Sequence, residues 1–232
     1  MNNKNIKLQE FWDQVFLMDE NAKNEIKNSI NEDDWLNLSP ADKLTEALKY
    51  LKDCGNVLDY GCGNGWASIV AVKQGVKHVT AVDTSKNGID ALQFFSCLFG
   101  LNDKINAFPI DFDWLHNQKQ DQYDGLVCSN VLDVVDEDTS NMIIKELNKV
   151  LKHNSKIIIG LNYHISDEKA KEKGIVFENG NELYVNGILR LLNKSDEEWI
   201  TTFSKYFKVV KLDYFAWPGE EKETRRLFYL QK

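Results

Sequence analysis

Val57-Leu58-Asp59-Tyr60-Gly61-Cys62-Gly63-Asn64-Gly65 sets a short apolar strand directly against three glycines spaced two apart. The glycines let the chain turn tightly from strand to helix and let a ligand approach the backbone without Cβ clashes. Ala67, Ile69, Val70, Ala71 and Val72 follow as the apolar residues of a helix. Strand-like and helix-like segments then alternate, the signature of a parallel sheet covered by helices on both faces. Such sheets bind ligands outside the carboxyl ends of their strands, where the strand order reverses, and this loop belongs at that crevice. A bare glycine turn is the bland alternative. A nicotinamide-binding loop is the sharper one, but it wants a third small residue three positions after the second glycine. Counting from Gly63, that position holds Trp66.

Outward from the loop, His78 to Val82 reads as the next strand, closed by Asp83, and Asn87 to Phe99 as a helix ended by Gly100. Ile105 to Ile110, Tyr123 to Ser129 and Ser155 to Leu161 are further strands, with a helix marked by Ile143, Ile144, Leu147, Val150 and Leu151 before the last. Upstream, Leu8, Phe11, Trp12, Val15 and Phe16 fall on one helical face. A second helix is predicted from Ser39-Pro40-Ala41-Asp42, with Ser39 as cap. Downstream, residues 174–192 carry Asn179-Gly180 and Asn186-Gly187 between β-prone residues and read as an inserted β-meander. Ser195 to Glu198 is a capping box. Two final strands, Phe207 to Phe215 and Thr224 to Leu230, are joined by a short loop with Trp217 and so pair antiparallel.

The acidic-x-Gly-x-Gly-x-Gly pattern from Asp59 resembles motif I of class I S-adenosylmethionine-dependent methyltransferases. Val79 to Asp83 looks like motif II, Pro109 to Phe112 like motif III, and Cys128 to Leu132 like the fourth-strand motif, in the family's order. The resemblance covers residues 55–162. It implies a Rossmann-like three-layer α/β sandwich, with a mostly parallel seven-stranded sheet whose last strand is antiparallel and a small β-hairpin insert after strand five. One domain is expected over 1–232: a helical cover (1–52), a cofactor-binding core (53–162), an inserted lid (163–194) and a terminal helix with its strand pair (195–232). The implied cofactor is S-adenosylmethionine, leaving as S-adenosylhomocysteine. Its implied contacts are Asp59, Tyr60, Gly61, Cys62, Gly63 and Gly65 in the loop, Asp83 and Thr84 at the second strand, Asp111 and Phe112 at the third, and Asn130 at the fourth. Asp83 is the acid for the ribose hydroxyls and Asp111 the acceptor for the adenine amino group. Asp59 either orders the loop or meets the ammonium.

Composition narrows the partners. The net charge is −8 and the lysines are scattered, so no basic stripe predicts a nucleic-acid duplex as partner. No apolar run approaches a bilayer span, and Met1 to Lys7 is polar, which predicts a cytoplasmic protein with no membrane partner. Cys54, Cys62, Cys97 and Cys128 lack CxxC spacing and histidine companions, so no metal site is expected and reduced core thiols are.

The acceptor side is less explicit. Asn130-Val131-Leu132-Asp133 is not the Asn/Asp-Pro-Pro-aromatic signature of enzymes that methylate exocyclic or amide nitrogen. His164 and Tyr163, just past the fifth strand, are the candidates for a catalytic role, against a solvated loop as the alternative. Trp12, Asp133 and Trp217 are candidate pocket residues. A small-molecule acceptor under the inserted lid is the leading expectation. An RNA or protein acceptor and a non-catalytic cofactor-binding subunit are the alternatives.

Overall fold

Each apolar run is too short to bury itself, and the chain solves this by laying the runs side by side. In the computed structural model, which describes residues 3–232, α1 (Asn3–Val15) and α2 (Glu20–Ser29) lead through a short 3-10 turn to α3 (Asp42–Leu48). Met1 and Asn2, the start of the polar N-terminal stretch, lie outside the described residues. There follow β1 (Asn56–Tyr60), α4 (Trp66–Lys73), β2 (His78–Asp83), α5 (Lys86–Leu98), β3 (Ile105–Pro109), β4 (Tyr123–Ser129), α6 (Glu137–Val150) and β5 (Leu151–Leu161). α7 (Asp167–Lys173) precedes β6 (Glu182–Val185) and β7 (Ile188–Leu192), and α8 (Asp196–Ser204), β8 (Lys208–Phe215) and β9 (Arg225–Gln231) end the chain.

The main sheet has the order β3-β2-β1-β4-β5-β9-β8. β1 to β5 pair in parallel, and β9 lies antiparallel between β5 and β8. Strand order reverses between β1 and β4, which puts the glycine loop at the switch point. Alternation along β1 sends Val57 into one core and Leu58 into the other. On the first face pack Leu48 of α3, Ile69 and Val70 of α4 and Leu92 of α5. On the second pack Ile144 and Leu147 of α6 and Trp199 and Phe203 of α8, with Phe203 edge-on to Phe228 at 5.1 Å. This is the expected three-layer sandwich.

Differences from the sequence reading are local. Ser39 does not cap α3. Ala41 holds the cap position, and the Ser39 hydroxyl donates to the Ala41 carbonyl at 3.0 Å, because the chain stays extended after the 3-10 turn. α2 and α7 lack a strong apolar period and were not read from sequence. Their starts are set by Asp19 and Ser166, which accept from Ala22 N and Lys169 N. The inserted meander is one hairpin, β6-β7, turned at Asn186 and Gly187 with φ of 55° and 75°. The earlier Asn179-Gly180 turn closes only a single bridge between Glu178 and Glu182. Of the four cysteines, Cys97 is exposed rather than in the core. Among the described residues, no helix is long and apolar enough to cross a membrane.

Candidate active site

At the carboxyl ends of the strands lies a cavity of about 570 Å³, a size typical of small-molecule sites. Its floor is the glycine loop. The Gly61 and Cys62 amides donate to the Val82 carbonyl at 2.8 and 3.0 Å, and the Gly63 amide to Asp83 Oδ2 at 2.8 Å. Asp83 Oδ1 accepts from the Ser85 amide at 2.8 Å. Asp83 therefore stitches the loop to the end of β2, while each oxygen keeps a second lone pair for a ligand hydroxyl. Burial pushes its carboxyl above the usual range, and the amide bonds oppose that rise. Gly61 has φ of 73°, and a Cβ there would collide with Val131. On Gly63 a Cβ would lie 2.6 Å from the Phe16 ring. Nothing larger than glycine fits at either position.

Asn130, at the end of β4, adopts φ of 55°, its amide donates to the Gly160 carbonyl at 2.8 Å, and its Oδ1 is buried with no partner. A buried acceptor left unmatched beside a ligand cavity suits a donor on the ligand. The Tyr60 hydroxyl also borders the cavity, and burial holds it well above its ordinary range, so it stays protonated.

The roof comes from elsewhere in the chain. α1 and the residue after it supply Leu8, Phe11, Trp12, Val15 and Phe16 to the lining. Two polar ties hold this helix over the start of α5. Gln9 Nε2 donates to the Thr84 carbonyl at 3.0 Å, and Asp13 Oδ1 accepts from Ser85 Oγ and the Asn87 amide at 2.8 and 2.9 Å. Asp13 thus caps α5 from outside its own segment, where a carboxylate also suits the positive helix end. From β7, Arg190 lies over Phe11, 4.3 Å from the ring centroid. Trp217 and Arg225, from the β8–β9 connection and the start of β9, and Asn162, past β5, close the far side.

The cavity brings together Tyr60, Gly61, Cys62, Gly63, Asp83, Thr84, Phe112, Asn130, Trp12 and Trp217 from the residues singled out in the sequence. The other six lie outside its lining. Asp59 is buried beneath the loop, accepts from the Ser68 hydroxyl at 2.6 Å, and is pushed up to about 7 by burial. Gly65 caps α4 in the left-handed region, packed against Leu92. Asp133 is fully buried. Its Oδ2 accepts from the Asn162 amide at 2.6 Å and its carbonyl from the Leu192 amide at 2.7 Å, so it ties the end of β5 to the β6-β7 hairpin. Asp111 is exposed at the rim, its Oδ1 accepting from the Asp113 amide at 3.2 Å. His164 is exposed, and Tyr163 packs with Lys169 and Arg225 over its ring at 5.3 and 5.6 Å. Phe16, Asn162, Arg190 and Arg225 were not anticipated as site residues. The one sequence signal for Arg190 is its place inside the otherwise apolar run Ile188 to Leu192.

These features fit S-adenosylmethionine. Asp83 offers acceptors for ribose hydroxyls, Asn130 Oδ1 an acceptor for an ammonium, and Ile110 and Phe112 an apolar edge for adenine.

The sequence profile of a methyltransferase domain matches residues 33–173. Among curated proteins, the ribosomal protein L11 methyltransferase of Lachnospira eligens is 31% identical over 161 residues, which are 68% of this chain and 47% of that protein. The chain spans about half the length of the curated relatives it matches. Among solved structures, the 1,6-didemethyltoxoflavin-N1-methyltransferase of Burkholderia thailandensis, with its namesake compound and S-adenosylhomocysteine bound, superposes with a TM-score of 0.66 at 14% identity, covering 90% of this chain and 86% of that one. A methyltransferase of Methanosarcina mazei described as S-adenosylmethionine-dependent gives 0.62 at 18% identity, covering 78% and 93%. At these identities the structural likeness carries the fold alone.

Proposed function

The chain belongs to the methyltransferase-domain family, and from that premise we propose that it transfers the methyl group of S-adenosylmethionine to a small-molecule acceptor. The observation that carries the second half of this reading is the roof. α1 and the β6-β7 hairpin, far apart in sequence, both contribute to the lining of one cavity of about 570 Å³. A site walled on that scale suits a ligand it can enclose.

S-adenosylmethionine supplies an electrophilic methyl carbon on a positively charged sulfur, and an acceptor atom displaces the sulfur in line. The protein's own part is positioning. Asp83 would accept from the ribose hydroxyls while its amide partners hold it still. Asn130 Oδ1 would accept a hydrogen bond from the ammonium of the amino-acid end. Trp12, Phe11 and Trp217 exclude water and align the acceptor, and alignment alone supplies a large share of the acceleration in such a transfer. Neither His164 nor Tyr163 is required as a base in this scheme, which suits an acceptor that needs no early proton loss.

The curated relatives named for a ribosomal protein favour a second reading, a protein acceptor. The match spans 47% of that relative, so what the rest of such a protein contributes to acceptor choice does not carry over. The two readings separate in one experiment. The protein is incubated with methyl-labelled S-adenosylmethionine and a cell extract split into small-molecule, RNA and protein fractions. Label in an extractable small molecule is expected, and label confined to protein or RNA would reject the leading reading.

A further inference from the structure

Two arginines border the cavity, and their situations differ. Arg225 is engaged by a carboxylate. Its Nε and Nη2 donate to Glu220 at 2.7 to 3.0 Å, its Nη1 donates to Asn162 Oδ1, and its plane lies 4.7 Å from the Trp217 ring centroid. Its charge is met by a carboxylate. Arg190 is different. It is half-buried, its guanidinium lies 4.3 Å from the Phe11 centroid and 5.8 Å from that of Trp12, and among the described residues no oxygen accepts a hydrogen bond from it.

Ring contacts satisfy the face of a guanidinium and leave its five N–H donors, which lie in the plane at its edge, unspent. This occurs in a chain of net charge −8, where 36 acidic residues were available to pair it. Asp83, the acidic residue in the lining, lies at the β2 end and is committed to two amides. The cavity is therefore polarised: an acceptor of hydrogen bonds at the β1-β2 side, an unmatched cation under the lid.

We propose that Arg190 determines specificity on the acceptor side, and that the acceptor is a small molecule with an apolar, preferably aromatic, body bearing a carboxylate. This rests on the methyltransferase reading above. The class follows from the surroundings. The guanidinium fork matches a carboxylate with two parallel hydrogen bonds. One unmatched positive charge balances a monoanion, whereas a phosphate monoester would bring nearly two charges to a pocket whose other arginine is already neutralised. Phe11, Trp12 and Trp217 supply flat apolar walls for the body.

The test uses the full chain saturated with S-adenosylhomocysteine, titrated calorimetrically with benzoate and indole-3-acetate and with their neutral amides, benzamide and indole-3-acetamide. An acid is expected to bind at least about tenfold more tightly than its amide. Arg190→Gln should remove that preference and Arg190→Lys keep part of it, with S-adenosylhomocysteine affinity unchanged within about twofold in both. Acids that bind no better than amides, or a preference that survives Arg190→Gln, would overturn the proposal. So would an equal loss of S-adenosylhomocysteine affinity, since the guanidinium would then be holding the cofactor's own carboxylate. Should the wild-type protein not bind S-adenosylhomocysteine at all, the methyltransferase reading fails on its own. The acid-over-amide comparison on the unliganded protein then still decides for or against Arg190 as an anion site.

Discussion

Asp83 holds two backbone amides at 2.8 Å and borders the cavity with its remaining lone pairs. Hydrogen bonds to a charged acceptor contribute about 1.5–3 kcal/mol each. Asp83→Ala should therefore weaken S-adenosylhomocysteine binding at least roughly tenfold in calorimetry. Because Gly63 and Ser85 lose their acceptor, the variant should also unfold at lower denaturant. Asp111, exposed at the rim, should matter less, and a larger loss for Asp111→Ala than for Asp83→Ala would mean the adenine end is misplaced. Asp59 makes a different prediction. Its carboxyl stands at about 7 in the folded chain against 3.8 ordinarily, because burial disfavours the charge. Between those values the native state binds more protons than the unfolded one, so stability falls as pH rises through that window. Asp59→Asn keeps an acceptor for the Ser68 hydroxyl and has no charge to bury. Relative to wild type it should gain roughly 1–3 kcal/mol between pH 5 and pH 8 in urea unfolding. A constant difference across that range would show that Asp59 is ionised at little cost. His164 is exposed and outside the lining. Once the labelled-donor assay has identified an acceptor, His164→Ala should leave turnover within about twofold, whereas a general base would cost a hundredfold or more.

At the scale of elements, the main strands were legible because each is a short apolar or β-prone run, and β1 and β2 are closed by Gly61 and Asp83. The glycine loop was legible for the same reason: its chemistry is written in consecutive residues. What the sequence did not reveal is where side chains at strand ends turn. Asp83 closes β2 and Asp133 comes four residues after β4, yet Asp133 turns inward to bind the Asn162 amide while Asp83 borders the cavity. Residue type alone does not distinguish them. Arg190 was missed because its partners, Phe11 and Trp12, are at the other end of the chain. α1 raises the element-scale prediction. Among the described residues its side chains make polar ties to Thr84, Ser85 and Asn87, and Leu8, Phe11, Trp12 and Val15 line the cavity. Deleting residues 1–18 should lower methyl-transfer turnover far more than thermal stability. A truncated protein that fails to fold would instead make Phe11 and Trp12 core residues.

For the molecule as a whole, α1 and the residue after it link the two sides of the cavity. Phe16, just past the helix, rests on Gly63 of the loop, while the helix ties Asp13 to the start of α5 and carries under Arg190 the rings of Phe11 and Trp12. One rigid segment thus reports on both halves of the cavity. A tilt of the helix that made room above Gly63 for the first ligand would also move the aromatic rings against Arg190, where the second would sit. Thermodynamic linkage then makes the influence mutual: if the first ligand changes the affinity for the second by some factor, the second changes the affinity for the first by the same factor. A helix placed so would make the grip on each ligand depend on the presence of the other, whichever arrives first.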